Sequence, residues 1–111
     1  MKTVYKTYSQ KQARERQKRF ERNTGLKWDF YHTGLGWMFT PVVTRETGLD
    51  EDLAAKLKPY LSPWGDGFVA LAELSGMNLV DVLVAAKTLV HNQQAICGVN
   101  RMGNFATISK K

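Results

Sequence analysis

Lys11, Arg14, Lys18 and Arg22 recur at three- and four-residue steps, a spacing that projects four cations to one side of a helix. Such a row can neutralise successive phosphates, which is the sequence-independent part of nucleic-acid binding. It belongs to a larger asymmetry. Residues 1–27 hold nine Lys or Arg against Glu15 and Glu21, a surplus of seven in a chain whose net charge is +6, so the rest of the chain is close to neutral. A basic segment seeks phosphates or anionic surfaces. A solvated arm that keeps the protein soluble and a helix that docks on a partner protein fit the same residues, so charge alone leaves three readings open.

Other chemistry is thinly represented. Trp28, Phe30, Trp37 and Phe39 are stacking platforms for single-stranded bases in one reading and the core of a small domain in the other. His32 and His91 are far apart in sequence, and no acid is spaced to orient either. Asp50, Glu51 and Asp52 are consecutive, so on a helix they point in different directions and suit capping better than a metal. The single Cys97 makes no internal disulfide and is expected as a buried or half-buried thiol in a strand, a usage that fits a reducing compartment. Neither a Walker-type phosphate loop, a histidine pair at metal spacing nor a nucleophile triad stands out. The expectation is a protein without enzymatic activity, metal, cofactor or small-molecule substrate. No apolar run approaches a membrane span, and the basic start lacks the apolar stretch of a signal peptide. A cytoplasmic protein, bacterial or phage-like in style, is expected.

The elements that would position these residues follow in order. Residues 1–9 lack a clear period and read as an extended arm or edge strand. From Ser9, a plausible N-cap, to about Asn23 the residues are good helix formers, with Asn23-Thr24-Gly25 as the stop. Only Ala13 and Phe20 give this helix an apolar line, a thin stripe to bury. Trp28 to Tyr31 and Gly36 to Thr40 read as strands about a turn at His32-Thr33-Gly34. Leu49, Leu53 and Leu57 mark a helix with acids in its first turn and lysines in its last. Leu61 to Gly67 is a rigid connection, with Asp66 as N-cap of the next helix and Trp64 over the core's end or at an interface. The expected organisation is a basic, partly helical arm over residues 1–25 and one domain over residues 26–111.

The organising stretch is Phe68 to Ile108. Phe68 to Ser75 and Leu79 to about Val90 are apolar segments of helical spacing joined by Gly76-Met77-Asn78, and Ala95–Val99 and Phe105–Ile108 flank a turn at Gly103. This order, with Ala72, Gly76 and Val82 spaced four and six apart, resembles the winged helix-turn-helix family. The resemblance implies an α+β fold in which the alanine lets two helices cross closely, the glycine turns the chain, and the apolar residue anchors the second helix. It also implies DNA binding and a role in transcription regulation.

Projected at about 100° per residue, the second helix buries Leu79, Val82, Leu83, Ala86, Leu89 and Val90. It exposes Val80, Asp81, Val84, Lys87, Thr88 and His91. A base-reading surface would offer Arg, Lys, Asn or Gln in its first turns. Here Lys87 and Thr88 suit phosphate, whereas Val80 and Val84, with His91, suggest a surface covered by protein. Two functions stand side by side. One is a nucleic-acid-binding regulatory or accessory protein, DNA before RNA, acting through Lys11, Arg14, Lys18 and Arg22 with Lys87 and Arg101 of the hairpin turn. The other is a protein-interaction module, such as a phage- or plasmid-style modulator of host proteins or an assembly factor, or a dimer, using Val80, Val84 and His91.

Overall fold

The computed structural model describes residues 9–111 and the short strand β1, Val4–Tyr5; the rest of the arm expected over residues 1–9 lies outside the described residues. Helix α1, Gln10–Thr24, opens on a capping box in which Ser9 Oγ accepts from Gln12 N at 3.3 Å and Gln12 Oε1 accepts from Ser9 N at 2.9 Å. It closes at Gly25, whose φ of 69° is left-handed.

Strands β2, Trp28–Thr33, and β3, Gly36–Pro41, form an antiparallel hairpin with Phe30 opposite Phe39 and Asp29 opposite Thr40. With β1 they make a three-stranded sheet of order β1-β3-β2. Alternation sends Trp28, Phe30, Trp37 and Phe39 to one face, and α1 lies on it. The thin stripe buries better than its length suggests, because aromatic area replaces residue number. Ala13 is wholly buried, and Phe20 stacks on Trp28 with ring centroids 4.5 Å apart. The Trp28 indole N–H donates to Thr24 Oγ1 at 2.8 Å, so the largest buried side chain keeps its one polar group satisfied.

The remainder is a second unit. Helix α2, Glu51–Leu57, is capped by Asp50, which accepts from Asp52 N and Leu53 N, and runs into a 3-10 turn over Lys58–Tyr60. Strand β4, Asp66–Gly67, precedes helix α3, Phe68–Ser75, and helix α4, Leu79–His91. Strands β5, Ala95–Val99, and β6, Phe105–Lys110, follow, and the second sheet has the order β4-β6-β5. Helices α3 and α4 meet at a bend of 109°, with Gly76 at φ 74° making the turn. Leu57, Phe68, Leu71, Val82, Leu83, Leu89 and Ile108 are the filling of this unit. The chain is therefore a small mixed α+β protein with two antiparallel sheets. Among the described residues, no single helix is long and apolar enough to cross a membrane.

Three local expectations change. Asp66 does not cap α3: it sits in β4 opposite Ile108 and accepts from Ser62 Oγ at 2.8 Å, while Gly67 begins the helix without a side-chain cap. Thr88, projected outward, is fully buried, because α2 packs against that flank of α4. There Thr88 Oγ1 donates to Val84 O at 2.8 Å and accepts from Asp50 N at 2.9 Å, which ties the start of α2 to α4. Cys97 is exposed, because β5 is the outer strand of its sheet.

Candidate nucleic-acid interface

Docking of α1 through Ala13, Gln17, Phe20 and Thr24 fixes which side faces solvent. Gln17 Nε2 donates to Trp28 O at 2.6 Å, and Glu21 accepts from Trp28 N at 3.2 Å, so one of the helix's two acids turns inward. Lys11, Arg14, Lys18 and Arg22 are all exposed on the opposite side. At about 1.5 Å per residue, the row from Lys11 to Arg22 spans about 16 Å along the axis. Arg19 and Lys27, which spacing did not single out, are exposed as well. Arg16 instead lies over the Phe20 ring at 5.7 Å.

Lys87 and Arg101 do not join this row. Lys87 Nζ donates to Thr44 O at 3.1 Å, Arg45 O at 3.2 Å and Thr47 O at 2.5 Å. All three ammonium protons are engaged in holding the loop after β3 against α4, so the expected phosphate contact is replaced by a structural one. Arg101 Nη1 donates to His32 O at 2.8 Å, and its guanidinium lies 6.0 Å from the Tyr31 ring centroid. Tyr31 points from the sheet face opposite to the one α1 covers, so Arg101 meets that sheet from the other side. Partial burial raises the Tyr31 pKa, with the Arg101 charge pulling it down and the Asp29 charge pushing it up.

Beside Arg101, the turn between β5 and β6 is anchored through Asp29, which is 7% exposed. Asp29 Oδ2 accepts from Asn100 Nδ2 at 2.9 Å and from Asn104 Nδ2 at 2.8 Å, while Asn100 Nδ2 also reaches Thr40 Oγ1 at 3.2 Å. Asn100 Oδ1 in turn accepts from Met102 N and Asn104 N. The partners lie 71 and 75 residues apart, and no local pattern could have announced them.

Val80 and Val84 line a shallow cleft of about 250 Å³ with Leu26, Val42 and Thr47. Val80 is 44% exposed, and Val84 is half-buried beneath the loop that Lys87 holds. His91 is exposed at the far end of the same helix. On the second face of the β2–β3 hairpin, a groove of about 610 Å³ runs between Tyr31, Met38, Val69, Glu73 and Arg101. The acids Asp50 and Glu51 are engaged in capping and in accepting from Asn92 Nδ2, and the described residues contain no cluster of three metal-binding side chains. Comparison with protein-family models, with curated proteins and with solved structures finds no match to this chain.

Proposed function

We propose that this is a non-enzymatic nucleic-acid-binding protein of winged helix-turn-helix type, acting as a regulatory or accessory factor. The observation that carries the binding is α1: an ordered helix whose apolar stripe is docked on the sheet, which leaves Lys11, Arg14, Lys18 and Arg22 together in solvent. A preformed row forms its phosphate contacts without first ordering the chain, so little of the binding free energy is lost to conformational entropy. The fold assignment is supported by the succession α2, β4, α3, α4, β5, β6 with sheet order β4-β6-β5, by Gly76 at the turn, and by buried Val82. In this reading β5–β6 is the wing.

Base reading by α4 has little support. Its outward side offers Val80 and Val84, its lysine is engaged in loop carbonyls, and the loop itself covers part of that side. The protein therefore contacts backbone phosphates rather than base edges, and it binds DNA with little sequence preference.

The test keeps the chain whole, because a version lacking α1 would uncover Trp28 and Phe39. The full-length protein and a variant with Lys11, Arg14, Lys18 and Arg22 all changed to Gln are titrated onto mixed-sequence duplex DNA, single-stranded DNA and RNA at low salt. The variant should lose binding while keeping its circular dichroism and Tm. Retention of binding by the variant, or no binding by the parent, overturns the reading; the order of affinities for the three polymers identifies the substrate.

A further inference from the structure

The two sheets present four outer strand edges, and they are not equally protected. Strand β4 has two residues, too short to template another strand, and β1 is described over Val4–Tyr5 alone. The outer edge of β2 is interrupted by side chains at both ends: Trp28 N is taken by Glu21, Trp28 O by Gln17 and His32 O by Arg101. Strand β5 differs. It has five residues, it pairs only with β6, and among the described residues the one further polar contact to the main chain of Ile96–Gly98 is the weak approach of the strand's own Cys97 Sγ to Gly98 O at 3.9 Å. Residues 92–100 contain no charged side chain and no proline, the usual devices that blunt an edge. Ile96 and Val99 stand 52% and 64% exposed along it.

We propose that β5 is a self-pairing strand: two copies of the chain join antiparallel along Ile96–Gly98 about a two-fold axis at Cys97, merging their three-stranded sheets into one. The occupant is a second copy because the strand is complementary to itself. About that axis, Ile96 of each copy stands opposite Gly98 of the other, bulk against gap in both directions, and Cys97 faces Cys97. The uncharged stretch matters in a chain of net charge +6, since copies meet here with no like charges opposed. The register shift between Gly98 and Val99 ends the regular ladder, which confines the pairing to three residues. So short a contact makes a dimer that dissociates on dilution. The inference stands apart from nucleic-acid binding and is read without it.

The experiment is sedimentation of the full chain over a range of concentrations at moderate salt, with Ile96→Lys as the test variant. A monomer–dimer equilibrium is expected, and Ile96→Lys should weaken it by about tenfold or more by placing a cation in each half of the ladder. Copper phenanthroline with dissolved oxygen, which accepts two electrons from two thiols, should trap the parent dimer through Cys97. A Cys97→Ser/Met102→Cys variant, with its thiol at an exposed turn position, should not be trapped. A monomer at every concentration, a dimer indifferent to Ile96→Lys, or equal trapping through position 102 would each overturn the proposal.

Discussion

Changing Lys18 to Gln removes one charge from the middle of the α1 row and nothing else, because Lys18 is exposed and Gln is as good a helix former as Lys. If all four cations of the row neutralise duplex phosphates, log affinity falls with log salt with a slope of about −3.6, from about −0.9 per phosphate. Between about 50 and 200 mM salt the parent then loses about 150-fold in affinity, and the variant, with a slope of about −2.7, loses about 40-fold. On a single strand, at about −0.7 per phosphate, the parent slope is about −2.8. Fluorescence anisotropy with a labelled mixed-sequence duplex at several salt concentrations measures both slopes, and an unchanged Tm confirms that the fold is intact. A parent slope near −5.4 would add Arg19 and Lys27 to the contact set. A parent slope near zero, or one that Lys18→Gln leaves unchanged, refutes the assignment of this face.

Trp28→Ala deletes a fully buried indole stacked on Phe20 and should cost about 3–5 kcal/mol in chemical denaturation, the usual price of a lost core aromatic; a cost under about 1 kcal/mol would contradict the docking of α1. Gly98→Ala should destabilise because its Cβ would run into Thr107 Oγ1, and Thr107→Ala in the same chain should restore most of the loss in a double-mutant cycle. Partial desolvation on the sheet raises the pKa of the exposed Cys97, so the thiol stays protonated to higher pH. Its iodoacetamide labelling should have its half-maximal rate above the ordinary thiol value of about 8.5, and a midpoint below that would refute the shift.

What the sequence made legible was local. Ser9 and Asp50 announce their helices because a cap is satisfied within three residues, and Gly25 and Gly76 stop theirs because both need positive φ. The β2–β3 and β5–β6 hairpins were readable from two apolar runs about a turn. The misplacements are all tertiary. Thr88 lies on the side a single-helix projection calls polar, yet α2 covers it. Cys97 sits in a strand that looks internal until the sheet order makes it the outermost. The α1 cations were legible from spacing, whereas the use of Lys87 depends on a loop 40 to 43 residues earlier in the chain.

Asp29 also has a consequence for motion. By gripping Asn100 and Asn104, it makes the β5–β6 turn and the β2–β3 hairpin a single rigid strut, although Met102 and Arg101 at the tip are exposed. The ordering entropy of that tip is lost when the chain folds, not when a ligand arrives. A tip prepared in this way keeps one shape, and it forgoes the accommodation that a loose finger would allow.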